Sequence, residues 1–168
     1  MDVSKYAVPK RADFRGYRTF GELAKEVQDG LPDMDGWKDP ARARKIARDK
    51  IPKESYYQRK IMEALRDAFP TGRWRKNAAG IGQDAGEPDL IGCLDGKFIA
   101  IEVKRPLVGE PTALQEKAVR EIRAAGGCAM FASYPDEVVA AVGRYMQFLP
   151  YWYEVTGSGA SEVINQSD

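Results

Sequence analysis

Within PDLIGCLDGKFIAIEVKRP, residues 88–106, Asp89, Glu102 and Lys104 stand in a pattern suited to hydrolytic chemistry. Asp95-Gly96 lies between two apolar runs, the strongest short-range hairpin signal. A two-residue turn there sets Leu94 opposite Lys97, Cys93 opposite Phe98, Gly92 opposite Ile99, Ile91 opposite Ala100 and Leu90 opposite Ile101. The next pair out is Asp89 opposite Glu102. Opposed side chains on one sheet face have Cβ atoms about 5 Å apart, where like charges repel. A divalent cation would remove that repulsion. Magnesium typically takes one or two carboxylates and leaves its other positions to water and substrate phosphate. Asp89 and Glu102 read as that ligand pair, with the main-chain carbonyl of Val103 in reach. Lys104 lies two residues beyond Glu102 and so shares its face. It is placed to orient or deprotonate an attacking water, or to stabilise an oxyanion. The matching chemistry is phosphodiester cleavage, in which a magnesium or manganese ion neutralises developing charge, acidifies water and fixes the attack geometry.

The composition narrows the alternatives. The chain has 168 residues and no histidine. Histidine triads, histidine general bases and histidine metal ligands are excluded, so hydrolysis must rest on carboxylates, lysines and a hard, oxygen-ligated ion. The two cysteines, Cys93 and Cys128, fall in apolar strand-like runs and read as buried thiols. With no Cys-x-x-Cys pair, structural zinc is not expected. No apolar run reaches the roughly 20 residues of a membrane span, and the N-terminus lacks a secretory apolar region. The expectation is a cytoplasmic protein with no membrane and no small-molecule cofactor.

Net charge is +1, which says nothing about nucleic acid, but its distribution does. Between Lys38 and Lys53 seven basic residues face two acidic ones. Arg42, Arg44, Lys45 and Arg48 in this stretch, Arg73, Arg75 and Lys76 further on, and Arg105 beside the acidic pair are the candidate DNA contacts. A solvated helix face is the plainer reading of the first group.

Helical and strand periods then supply the scaffold. Helices are predicted over 19–30 (Thr19 as cap, Glu22 three later), 39–50, 54–69, 111–125 and 135–149, and strands over 73–77, 88–94, 97–104 and 128–133. Tyr57, Ile61, Ala64, Leu65 and Ala68 form one helical face, with Glu54 near its centre and Glu63 opposite. Glu54 could bind a second ion or hold a metal water, or be a first-turn acid favoured by the helix dipole. Leu114, Ala118, Ile122 and Ala125 give the next helix its stripe. Thr112-x-x-Gln115 has capping-box spacing, so Gln115 needs no catalytic role. The order predicts an α/β fold: a mixed central sheet flanked by helices, αβββαβ, with an N-terminal helical, basic extension over 1–50, the main domain over 51–150 and a tail over 151–168.

The segments GEPDLIG, GKFIAIEVKRP and TALQ resemble the PD-(D/E)xK nuclease superfamily, and within it the VRR-NUC (virus-type replication-repair nuclease) branch. Pro88-Asp89, Glu102-x-Lys104 and Gln115 match its motif, and Glu54 matches its N-terminal acid. The resemblance covers roughly residues 54–135. It implies a restriction-endonuclease-like core and a magnesium- or manganese-dependent DNA endonuclease. It adds a site role for Gln115 near Lys104 or a substrate phosphate. Small stand-alone members resemble phage or prophage enzymes acting on branched DNA such as Holliday junctions or flaps, often as homodimers; Trp152 and its tyrosine neighbours would suit such an interface. A non-catalytic nuclease-fold module that binds DNA or protein, and an RNA-directed nuclease, are the alternatives.

Overall fold

The computed structural model describes residues 2–10, 15–19, 22–23, 40–77 and 86–147, with side chains from 44 onward in the fourth of these stretches. The tail and most of the 19–30 helix lie outside the described residues; Glu22 and Leu23 are helical, and Thr19 Oγ1 accepts the Glu22 N–H at 3.1 Å. After a 3-10 turn at Ser4–Tyr6 come α1 (Pro40–Lys50), α2 (Glu54–Ala68), β1 (Arg73–Lys76), β2 (Leu90–Leu94), β3 (Lys97–Val103), α3 (Ala113–Ala124), β4 (Cys128–Ala132) and α4 (Pro135–Gln147). The four strands form one sheet in the order β1-β2-β3-β4. The first three are antiparallel neighbours and β4 runs parallel to β3. From α2 onward this is the expected αβββαβ order, a mixed sheet flanked by helices. No helix among the described residues is long and apolar enough to cross a membrane.

The hairpin turn fixes the register. Asp95 (φ 47°) and Gly96 (φ 73°) both occupy the left-handed region that a two-residue turn of this hand demands. All five expected cross-strand pairs, from Leu94↔Lys97 to Leu90↔Ile101, are present. Ile99, Ile101 and Val103 point to one face and are fully buried. They pack in one cluster with Tyr57, Ile61 and Leu65 of α2 and Val138, Val139 and Val142 of α4. Gly92 gives the Trp74 ring its place in that layer, since a Cβ at 92 would stand 2.2 Å from Trp74 Cε3. Tyr17, Leu23, Ala47 and Ile51 bury in the same cluster. The Tyr134 hydroxyl donates to the Tyr17 carbonyl, and Arg18 pairs with Asp136 and Glu137 at the start of α4.

The opposite sheet face is covered only in part. There α3 packs through Val119 on Ala100 and Ala129, with Ile122 and Phe131 alongside. The inward stripe of α3 runs through Gln115, Val119 and Ile122; of the expected Leu114, Ala118, Ile122 and Ala125, Ile122 packs inward and Ala118 is half-buried, while Leu114 (52% exposed) and Ala125 face out. Over β1 and β2 this face has no helix among the described residues. That corrects the expectation for Cys93, which is exposed beside Phe98, while Cys128 is buried as expected.

Candidate active site

The site lies where β2 begins and β3 ends. Asp89 immediately precedes β2, and its main-chain carbonyl accepts the Asn77 N–H at 2.7 Å. Its carboxylate turns back across the hairpin, where Oδ2 accepts the Val103 N–H at 2.8 Å. A side chain thus takes over a ladder position, and the reason is readable in the register. Extending the Leu90↔Ile101 pairing by two residues sets Pro88 opposite Val103. A residue's N–H and C=O point to the same neighbouring strand in an antiparallel ladder. Pro88 has no N–H, so it cannot pair with the Val103 carbonyl. That carbonyl faces the Asp89 side with no ladder donor opposite it.

Glu102 sits on the same rim and is only 3% exposed. Lys104 Nζ donates to Glu102 Oε1 at 2.9 Å and to Gln115 Oε1 at 2.8 Å, and Gln115 Nε2 donates to Glu102 Oε1. The three side chains close a triangle. Gln115 also completes the capping box of α3: its Oε1 accepts the Thr112 N–H at 2.9 Å and its N–H donates to Thr112 Oγ1 at 3.3 Å. The cap fixes the Gln115 amide against Glu102 and Lys104.

Burial raises the pKa of Glu102; the Lys104 hydrogen bond opposes this and the charge on Asp89 adds to it. Glu54, the first residue of α2, is half-buried, and its pKa is raised first by burial and then by Asp89. Lys104, Arg105 and Lys76 pull the other way. Asp89, Glu102, Lys104 and Glu54 thus share one electrostatic neighbourhood, whereas Glu63 is exposed and paired with Arg59 and Lys60. Among the described residues no three or more His, Cys, Asp or Glu side chains are grouped as a ready-made metal cage.

A raised carboxyl pKa means that the folded chain holds its proton to higher pH than the unfolded chain. Stability conferred by the protonated form is therefore lost as pH rises from the ordinary glutamate value of 4.5 through the raised one. Thermal melts in EDTA should show wild type losing stability relative to Glu102→Gln as pH rises through that window. A pH-independent difference would contradict the burial of this carboxyl.

The basic candidates are scattered. Arg73 and Arg75 are exposed on the face that carries Cys93 and Phe98, while Lys76 lies on the opposite face beside Glu54. Lys45 and Arg48 are exposed on α1, Arg44 pairs with Glu110 at 3.4 Å, and the Arg42 side chain lies outside the described residues. Arg105 is turned inward. Its guanidinium donates to the carbonyls of Arg48, of Ile51 at 2.6 Å and of Pro52 at 3.1 Å. The Arg48 carbonyl is one that the C-terminal turn of α1 cannot bond internally, and the other two lie just past the helix. Arg105 thereby ties the end of β3 to the segment that starts α2 and carries Glu54. Sequence reasoning missed this role, and it also missed Gln58. Gln58 lies one turn beyond Glu54 and is 6% exposed, and its Oε1 lacks a hydrogen-bond partner among the described residues. Its polar type at i+4 on the apolar side of α2 was the available signal.

No protein-family model matches the chain, and no curated protein matches it. A solved structure described as a VRR_NUC domain aligns with a TM-score of 0.43 and 23% identity, over 53% of this chain and 96% of that one.

Proposed function

We propose that this chain is a metal-dependent endonuclease that hydrolyses DNA phosphodiesters, with branched DNA as its preferred substrate. The observation that carries the reading is the convergence of Asp89, Glu102 and Lys104 on one rim of the sheet, where the Asp89 carboxylate accepts the Val103 N–H and Lys104 donates to Glu102. The donor set fits a hard divalent ion: Asp89, Glu102 and the Val103 carbonyl would hold magnesium or manganese, with Glu54 able to anchor a second ion or a water. Such an ion supplies Lewis acidity toward a phosphoryl oxygen and a more acidic water.

The chain's own groups perform the remaining tasks. The hairpin turn sets the spacing of the two carboxylates, because it fixes every pair between them. The Val103 N–H holds the Asp89 carboxylate in one orientation. Gln115, locked by the cap of α3, holds Lys104 at the rim. The Lys104 ammonium can orient a water or donate to a phosphate oxygen without any histidine. The preference for branched DNA and a homodimeric state follow from the resemblance to VRR-NUC nucleases.

The test is a cleavage panel of linear duplex, single strand, flap, four-way junction and RNA, each with magnesium, manganese or EDTA. Cleavage should require the divalent ion and favour branched DNA. No cleavage of any substrate with either ion would leave a binding module as the better reading, and RNA as the best substrate would move the assignment to ribonuclease.

A further inference from the structure

We propose that the open face of the β1-β2-β3 hairpins is a platform for single-stranded nucleic acid, on which a base stacks against Phe98 while Arg73 and Arg75 hold the backbone. The inference deepens the nuclease reading and rests on it. Arg73 pairs with Cys93, Cys93 with Phe98, and Arg75 with Ile91, so all five side chains share one face. They line a shallow cavity of about 210 Å³. Phe98 is 45% exposed. Arg73 and Arg75 are exposed and form no ion pair among the described residues.

An exposed aromatic flanked by cations is the chemistry that single strands use: the cations track phosphates and the ring takes a base. Duplex DNA keeps its bases stacked and offers Phe98 none. The face also leads to the chemistry. Phe98 and Glu102 point the same way along β3, four residues or about 13 Å apart. Since α3 covers Ala100 between them, a strand seated on Phe98 approaches the Asp89 end over β2, past Cys93 and Ile91. A second copy of the chain is the less fitting occupant. A two-fold interface is isologous, so it would bring Arg73 and Arg75 of both copies onto one patch, where like charges repel.

The experiment is fluorescence anisotropy of the full chain with a labelled single-stranded oligonucleotide and with its duplex, in EDTA so that nothing is cut. Phe98→Ala should weaken single-strand binding roughly tenfold, in the range of one lost stacking contact, and leave duplex binding little changed. Phe98→Trp should restore it. Arg73→Ala with Arg75→Ala should weaken binding and flatten its salt dependence. Unchanged single-strand affinity in Phe98→Ala, or equal losses on both oligonucleotides, overturns the proposal. So does a Phe98→Ala variant whose oligomeric state shifts in sedimentation while its affinity stays. Since no cleavage is read, these outcomes are independent of the metal-dependent activity: wild type that cuts DNA with an unaffected Phe98→Ala sinks the platform alone, and wild type inert with every ion sinks the nuclease reading alone.

Discussion

Asp89→Asn should abolish magnesium-dependent cleavage, by about a thousandfold or more, while leaving the fold intact. The two halves of that expectation have separate causes. The substituted amide keeps a carbonyl oxygen that can still accept the Val103 N–H now bound at 2.8 Å, so the hairpin end stays closed. What disappears is one of the two carboxylate charges that would hold the proposed ion, both of them coupled to Glu54. Losing several kcal/mol of transition-state charge stabilisation corresponds to roughly a thousandfold in rate, at about 1.4 kcal/mol per factor of ten. The charge on Asp89 also raises the pKa of both Glu102 and Glu54. Its removal should let both lose their protons at lower pH, so the ion-free variant should be at least as stable as wild type at neutral pH. Single-turnover cleavage in magnesium, calorimetric titration with manganese and thermal melts in EDTA measure the three effects. Cleavage within a few-fold of wild type would remove Asp89 from the machinery. Loss of activity with an equal loss of folded protein would show a structural role instead.

The parts of this site that were legible in the sequence were those set by local rules. Asp95-Gly96 dictates a turn with two left-handed residues, and a turn of fixed length dictates every pair behind it. Asp89 and Glu102 are consequences of that register. Glu54 was legible because a 3.6-residue period has a phase, and the phase points Glu54 toward the buried side of α2. Cys93 was misread because alternation separates the two faces of a strand but does not say which face a helix covers. The α3 stripe was misread for a related reason. Its first inward position carries Gln115, a polar residue, so the apolar pattern in the sequence starts at Leu114, one position away. Val119 and Ile122, four and seven residues on, mark the true face, and they would also have argued that Gln115 points into the site. Arg105 was out of reach. Its partners lie 53 to 57 residues earlier, they are carbonyls, and carbonyls have no signature in a sequence.

Lys104→Met tests the other side of the chemistry, and it should cost both rate and stability. The Lys104–Glu102 pair is well shielded, with side-chain exposures of 13% and 4%. Methionine replaces much of the aliphatic stem, so packing changes little and the loss is that of an ammonium held at 2.9 and 2.8 Å by two acceptors. Hydrogen bonds to charged groups contribute about 1.5–3 kcal/mol each, and removing one partner of a buried pair leaves the other charge uncompensated. Glu102 then loses the interaction that opposes its burial, and its pKa rises further. Because protonation of Glu102 relieves the uncompensated charge, the destabilisation should shrink as pH falls. Calorimetric or fluorescence melts of wild type and variant from neutral to acidic pH in EDTA would measure that convergence. Cleavage should fall by about a hundredfold to ten-thousandfold, the span of a positioned proton-transfer group, with binding to oligonucleotide in EDTA largely kept. Gln115→Leu separates the two roles of the triangle. It removes the Lys104 acceptor and the side-chain half of the capping box, while Thr112 Oγ1 still accepts the N–H of residue 115, so it should lower stability by about 1 kcal/mol, without a pH-dependent component as large as that of Lys104→Met. Its rate loss should be smaller, since Lys104 keeps its bond to Glu102. If Lys104→Met cut DNA as fast as wild type while showing the predicted pH-dependent destabilisation, Lys104 would be a counter-ion to Glu102, and the water would have to be oriented by Glu54.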